Sequence, residues 1–339
     1  MSGTLGIGLI GAGRIGALHA DLIAREVEGV EVVCVCDPVT ERASELAGPL
    51  GAEVALDAEE VVGRVEVGAV AICSSTDTHA DTLEMALVGG KPAFCEKPLS
   101  LDLATVDRIA ALAESSGLPV QVGFNRRFDP SHRSVRDAVR SGTVGDPHVL
   151  RVTSRDPEPP PLEYTRVAGG LFLDMTSHDF DMARFITGSE VTEVFARGSV
   201  RVDPAVAELG DIDTALAVLE HENGCMTAID NSRRATYGYD QRAEVFGSAG
   251  MARSENQPLH GGQLFTEKGE AAPVLMAFFL DRYRHSYRLG WESFVAAVTG
   301  GAPVEVGVED ARRALMIGIA ATRSMREGRP VRVEEVEAL

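Results

Sequence analysis

From Leu5 onward the chain alternates unbroken apolar runs with stretches in which apolar residues recur every three or four positions. The runs LGIGLIGAG, VEVVCVCD, GAVAICSST, KPAFCEKP and LPVQVGFN have little or no polar face, as strands buried on both sides of a sheet do. Between them lie RIGALHADLIARE, TERASELAGPL, DTHADTLEMALVGG and LDLATVDRIAALAESSG, whose apolar positions fall along one side of a helix. DTHADTLEMALVGG also opens on a capping residue and closes on glycines, as a helix should. Strands alternating with helices are what βαβ units require, so this part is expected to be a doubly wound parallel sheet of the α/β class.

After a further helix in SHRSVRDAVRSG the rhythm changes. PHVLRVTS, EVFARGSVRV, TALAVLEHENGCMTAIDNS and RAEVFGSAGMARSE follow without intervening helices. Consecutive strands imply an antiparallel or mixed sheet, hence a second, α+β domain, and the Asn-Gly of HENGC predicts a tight hairpin. The proline-rich DPEPPPLEYT is expected to be a surface loop. Two late helices, in DRYRHSYRLGWESFVAAVTG and VEDARRALMIGIAATRSMREG, complete the pattern. The predicted boundary divides the chain into residues 1–123 and 124–339. No internal repeat or low-complexity tract interrupts it.

Composition narrows the class. The 339 residues are 45% hydrophobic and 24% charged, with a formal net charge of -19, which argues against an extended nucleic-acid surface. No apolar run is long enough to span a bilayer, and MSGTLGIGLIGAG lacks the basic start and cleavage pattern of a signal peptide. Cys34, Cys36, Cys73, Cys95 and Cys225 are odd in number and lack scaffold or zinc-ligand spacing. They read as core residues of a protein in a reducing compartment, the cytoplasm, and no metal is expected. Lysine occurs only at Lys91, Lys97 and Lys268. Where arginine serves every general need, a lysine suggests that a compact ammonium is wanted.

The first strand–helix turn carries GAGRIG, with Gly11, Gly13 and Gly16 in the spacing of a dinucleotide site, in the strand–turn–helix context that the motif demands. Gly11 permits the turn, Gly13 lets the backbone approach a pyrophosphate, and Gly16 allows close helix–strand packing. The helix N-terminus favours the anionic group. Asp37 ends the next strand, where a carboxylate can accept from ribose hydroxyls and repel a 2′-phosphate, favouring NAD over NADP. Arg42 is close enough in sequence to leave NADP as a secondary possibility. The full expected cofactor set is Gly11, Gly13, Arg14, Ile15, Gly16, Asp37, Ser74, Thr76, His79, Glu96 and Lys97. The competing structural reading of Ser74–Thr76 is the polar cap of a helix.

CEKP leaves a strand at the carboxyl edge of the sheet, where ligands bind in open α/β folds. Lys97 precedes proline, which biases it toward an extended conformation, and Lys97–Pro98 is a candidate cis bond. GGLFLDMTSHDFDMARFITG reads as one helix with an apolar stripe of Phe172, Met175, Met182 and Ile186. Asp174, His178, Asp179 and Asp181 crowd eight residues of it. Asp174 and His178 are spaced to share a face, whereas Asp179 and Asp181 are expected to meet solvent or structural partners.

AGRIG, CEKP and GGLFLDMTSHDFDMARF, with VGFNRRFDP, TSRDP, GDIDTA and NSRRATYGYDQRAEVFGSAGM, resemble the glucose–fructose oxidoreductase/inositol dehydrogenase (Gfo/Idh/MocA) superfamily, and within it the inositol 2-dehydrogenases. The resemblance spans nearly the whole chain. It implies a Rossmann domain that binds NAD and an α+β domain with an open-faced sheet that a symmetric copy could cover, as a homodimer or homotetramer. It also implies a catalytic trio of Lys97, Asp174 and His178. On this reading His178 takes the hydroxyl proton, since histidine titrates nearest neutral pH. Asp174 supports its basicity and holds substrate, and Lys97 stabilises the developing alkoxide. Arg126 and Asp156 match positions near the substrate, and Tyr237 is a third candidate. Their bland alternatives are an Arg126–Asp156 ion pair and a cross-strand tyrosine. Ser154 departs from the histidine that inositol enzymes carry before the arginine of the corresponding motif.

The activity this implies is oxidation of a secondary alcohol of a cyclic polyol, myo-inositol to scyllo-inosose by preference. Rivals are a dehydrogenase of scyllo-inositol or a pyranose sugar and, from another class, an inactive NAD-binding regulator, against which the intact trio speaks.

Overall fold

The structure is a computed structural model that describes residues 3–337. The chain folds as two compact units. One takes the chain up to Phe128 together with His285–Arg313; the other takes Asp129–Arg284 and the chain from Ala314 onward.

The first unit begins with β1 (Leu5–Ile10), α1 (Arg14–Arg25), β2 (Val30–Cys36), α2 (Thr40–Ala47), β3 (Glu53–Val54) and α3 (Ala58–Gly63). It continues with β4 (Ala69–Ile72), α4 (Thr76–Val88), β5 (Ala93–Cys95), α5 (Leu103–Ser116) and β6 (Val120–Val122). Its six strands lie in the order β3-β2-β1-β4-β5-β6, and every pair is parallel. Every residue of β1, β4, β5 and β6 is buried, which is why these runs carry no polar face. The strand order reverses direction at β1, between β2 and β4. The carboxyl ends there flank the crevice in which open α/β sheets bind ligands.

The second unit holds α6 (Pro130–Arg140), β7 (Pro147–Arg155), α7 (Leu162–Val167), α8 (Leu171–Asp174), α9 (Ser177–Thr187), β8 (Val191–Ser199) and α10 (Ala205–Glu208). It goes on through β9 (Thr214–His221), β10 (Met226–Ser232), β11 (Asp240–Gly247), β12 (Gly250–Ser254), the small hairpin β13 (Leu264–Thr266) and β14 (Gly269–Ala271), and α11 (Phe279–Arg282). After Arg284, α12 (Arg284–Gly300) runs within the first unit. The next helix, α13 (Val308–Glu327), leads back to the second, where β15 (Val331–Arg332) adds the last strand.

Seven strands form the sheet β12-β11-β7-β10-β9-β8-β15. It is mixed: β7 and β10 run parallel, and the other pairs are antiparallel. The Asn223–Gly224 turn joins β9 to β10 as a hairpin, with His221 N–H donating to the Cys225 carbonyl at 3.0 Å. Along β9, Ala215, Ala217 and Leu219 are buried while Leu216, Val218 and Glu220 are exposed, so one face of the sheet is covered and the other open.

Two local expectations change. Leu162–Val167, which begins inside the segment expected to be loop and runs two residues past it, forms α7: the fixed φ of Pro161 starts a turn whose carbonyl accepts from the N–H groups of Tyr164 and Thr165. The carboxylate-rich helix is interrupted at Met175–Thr176. Thr176 N–H reaches the Leu171 carbonyl, and the Ser177 hydroxyl takes the Asp174 carbonyl at 2.8 Å; such side-chain competition loosens a helix.

Candidate active site

The glycine turn closes for steric reasons. Gly11 has φ +101°, and a Cβ there would lie 2.5 Å from the Cys73 backbone; a Cβ on Gly16 would lie 1.9 Å from the Gly11 carbonyl oxygen. Beside Gly13 there is open space instead, with nothing within 4 Å of an added Cβ. Gly13 is the N-cap of α1 and brings no side-chain acceptor, which suits an anion at the positive end of the helix. Asp37 buttresses the turn: Oδ2 accepts from Ala12 N–H at 2.8 Å and Oδ1 from Val39 N–H at 2.9 Å. Each carboxylate oxygen can accept a second bond, so the ribose-binding capacity remains. Arg14 is exposed and Ile15 half-buried at the same helix start, and Arg42 is exposed on α2.

At the carboxyl end of β4, Ser75 rather than Asp77 or Thr78 is the N-cap of α4, without a side-chain cap bond. The hydroxyls of Ser74 and Thr78 pair at 2.7 Å, and Thr76 is half-buried. His79 is buried with its ring nitrogens 2.8 Å from the Pro98 carbonyl and 3.0 Å from the Ser74 carbonyl. It therefore braces the β4 exit against the β5 exit. The Lys97–Pro98 bond is cis, Lys97 is half-buried and Glu96 buried. Arg126 is buried in the short turn Asn125–Phe128.

The second unit gathers a charged cluster at the start of the interrupted helix. Asp174 Oδ2 accepts from Arg233 Nη2 at 2.7 Å, and Oδ1 accepts from the Tyr164 hydroxyl at 2.8 Å. Arg233 Nη1 lies 3.5 Å from Asp156 Oδ2. Arg233 is 6% exposed. Burial works against its charge, but Asp174 and Asp156 outweigh that and hold the guanidinium above its usual range. Burial and then the Asp174 charge push the Tyr164 phenol well up, so it stays a hydrogen-bond donor. His178 stands half-buried in the first turn of α9. Asp179 and Asp181 are buried: Asp179 accepts from Asn231 Nδ2 at 2.7 Å, and Asp181 lies 3.8 Å from Arg184, so both have structural partners.

Tyr237 is about half exposed; its hydroxyl donates to Asp240 at 2.5 Å and accepts from Arg155 at 2.7 Å. Arg155 also pairs with Asp230, so Tyr237 belongs to a different ionic group from Arg233. Ser154 is buried and donates to Gln241 at 3.1 Å. Arg233 and Tyr164 were missed in the sequence. Arg233 sits in RRA, where nothing local separates it from its neighbour Arg234, and Tyr164 lies in a segment read as loop. A buried carboxylate needs a partner, and that rule could have prompted a search for the arginine without naming it.

The five cysteines are free and buried, and burial pushes the thiols of Cys34 and Cys36 up to about 11. Among the described residues, no helix is long and apolar enough to cross a membrane, and no group of His, Cys, Asp or Glu is arranged to hold a metal.

A glycine turn between β1 and α1, with an acid closing β2, defines a dinucleotide-binding protein. Residues 5–124 match the model of the oxidoreductase family with an NAD-binding Rossmann fold, and residues 132–253 match the GFO/IDH/MocA C-terminal domain. The chain belongs to the GFO/IDH/MocA family of oxidoreductases, and its cofactor is NAD. It is 47% identical over 97% of its length to a myo-inositol 2-dehydrogenase of Thermotoga maritima, 99% of which is covered. It is 42% identical to an inositol 2-dehydrogenase of Rhizobium meliloti, with 97% and 99% covered. The crystal structure of a scyllo-inositol dehydrogenase from Lactobacillus casei, with NAD(H) and scyllo-inositol bound, superposes with a TM-score of 0.92 at 29% identity, covering 98% of this chain and 99% of that one.

Proposed function

We propose that the protein oxidises one secondary alcohol of a cyclic polyol, myo-inositol to scyllo-inosose, with NAD. The observation that carries this reading is the Asp156–Arg233–Asp174–Tyr164 cluster, whose Asp174 precedes His178 by four positions in the chain. It offers both donors and acceptors, as a ring bearing a hydroxyl at every carbon requires. The relative from Thermotoga maritima supports the choice of inositol. The scyllo-inositol-bound neighbour makes that isomer the second candidate.

In this reading the first unit binds the cofactor and the second the substrate, so that His285–Arg313 leaves the expected 124–339 half for the cofactor side. Gly13, Arg14 and Ile15 would meet the pyrophosphate in the turn that Gly11 and Gly16 close, and Asp37 would hold the ribose. Ser74, Thr76, His79 and Glu96 line the rest of the groove. Bound NAD would supply the acceptor for the hydride that leaves the carbinol carbon. His178 accepts the hydroxyl proton. Lys97 donates a hydrogen bond to the oxygen as negative charge grows on it. Asp174, held by Tyr164 and Arg233, is the carboxylate assigned to support His178 and to hold the substrate. Arg126, Asp156 and Tyr237 bind the remaining hydroxyls.

The protein acts in the cytoplasm as a homodimer or homotetramer. The exposed Leu216, Val218, Met226, Phe246 and Met251 on the open sheet face support a second copy covering it. Sedimentation as a monomer at micromolar concentration would refute the assembly. The activity is tested by following nicotinamide absorbance with myo-inositol, scyllo-inositol and pyranose sugars, with NAD and with NADP. The highest kcat/KM is expected for myo-inositol with NAD. Absence of reduction with every polyol defeats the proposal in favour of a regulator.

A further inference from the structure

Trp291 and His19, to which the roles above give no part, join Glu96 in a hydrogen-bonded chain of buried side chains within the first unit. Trp291, the sole tryptophan of the sequence, lies on α12. It stacks on Phe94 of β5 with ring centroids 4.8 Å apart. Its indole N–H donates to Nδ1 of His19 on α1 at 2.8 Å. An indole nitrogen only donates, so Nδ1 must accept, and the proton of the neutral imidazole sits on Nε2. That nitrogen faces Glu96 Oε1 at 2.8 Å and donates to it. The other carboxylate oxygen, Oε2, accepts from the backbone N–H of Lys97 at 3.3 Å. His19 and Trp291 are 0% exposed. The carboxyl fills the place of a missing side chain: a Cβ on Gly123, just beyond β6, would lie 2.6 to 2.9 Å from it.

This chain matters because Glu96 leaves β5 directly before Lys97 and its carboxylate accepts from the Lys97 amide, so the place of the carboxyl bears on the backbone that carries Lys97. Trp291 adds the tautomer. Without its N–H, the imidazole could present an unprotonated Nε2 to a carboxylate, which repels it. A buried carboxylate needs such a donor in any protein, but this one is spent one residue from Lys97 and holds the Lys97 amide itself.

We infer that Trp291, His19 and Glu96 are positioning residues that set the place of Lys97 at the exit of β5. The inference rests on the reading of Lys97 as the donor to the reacting oxygen. It assigns to α12 a part in the reaction, although that helix lies far along the chain from the dinucleotide turn.

The test is steady-state kinetics with NAD and myo-inositol, or the polyol of the panel that gives the highest rate, on His19→Leu, His19→Gln and Trp291→Phe. NADH affinity is measured separately by nicotinamide fluorescence. The glutamine amide nitrogen stands near the place of Nε2 and still donates to Glu96; leucine cannot. His19→Leu should lose about 10- to 100-fold in kcat with KM and NADH affinity within about threefold of wild type. His19→Gln should recover most of the loss, and Trp291→Phe should fall between. A merely structural relay gives another pattern, a lower Tm with kcat per NADH-binding site unchanged, and a His19→Leu kcat within about twofold of wild type overturns the inference. Should His19→Leu not fold, Trp291→Phe, which keeps an aromatic ring on Phe94, decides by the same criterion. Lys97→Met separates the two readings. Full activity there defeats the assignment of Lys97, whereas loss there with unchanged kcat in His19→Leu defeats only the relay.

Discussion

The glycine turn of the first unit and the arginine cluster of the second are built from opposite materials. At Gly11 and Gly16 the site exists because side chains are absent: an added Cβ would meet backbone at 2.5 Å and 1.9 Å. Around Arg233 it exists because four polar side chains meet, drawn from segments as far apart as Tyr164 and Arg233. A backbone site is set by local sterics and tolerates change everywhere but at its glycines. A side-chain site is held by mutual charge, so losing one member strands the others. Binding and chemistry should therefore fail separately when each region is altered.

The largest effect expected is on chemistry alone. His178→Ala should lower kcat by about 10²- to 10⁴-fold and leave NADH affinity at the wild-type value; retention of most of the kcat would remove His178 from the mechanism. Next comes Arg233→Met, which leaves Asp174 and Asp156 buried or half-buried without their cation. Breaking such a pair typically costs about 3–5 kcal/mol, read as a fall in the urea midpoint. Arg233→Lys, a single-point cation in place of a two-armed one, should recover only part of it. An unchanged midpoint in Arg233→Met would show that the cluster is not mutually dependent.

Gly16→Ala probes the other region. Its Cβ must displace the Gly11 carbonyl, a crowding cost of about 1–3 kcal/mol, so NADH should bind more weakly while the proton chemistry of bound substrate persists. Equal losses in kcat and in cofactor affinity would erase the contrast between the regions. The smallest effect is on acid stability. Asp213 is buried, which by itself raises its pKa, but the backbone N–H groups of Arg201, Asp203 and Val202 outweigh that and hold it below the usual carboxylate range. A carboxylate depressed on folding stabilises fully above its unfolded pKa of about 4, and that contribution is lost as pH falls through the lower folded value. Asp213→Asn should thus destabilise near neutral pH and flatten the decline of Tm below about pH 4; an unaltered acid limb contradicts this.

The same contrast explains what could be read in advance. The parallel sheet, the hairpin at Asn223–Gly224 and the dinucleotide turn were legible because each is enforced over a few residues, by burial on both faces or by the conformational range of glycine. The carboxylate-rich helix was legible in its apolar stripe but not in its break, since the hydroxyls of Thr176 and Ser177 compete with backbone bonds only once their surroundings are fixed. Tyr164 was hidden because the four prolines ahead of it read as loop, although Pro161 starts the turn that becomes α7.

By itself, then, the order of apolar and polar residues determined the two kinds of sheet, the place of the cofactor turn and the residue types available for proton transfer, because periodicity and steric range act along the chain. Only the folded molecule decided that Arg233 rather than Arg234 would neutralise Asp174, that α12 would return to the first unit, and that Trp291 would fix the tautomer of His19 across 272 positions of sequence. Those choices depend on which distant side chains are buried together, and the free energy of an unpaired buried charge or donor has no local signature in the sequence.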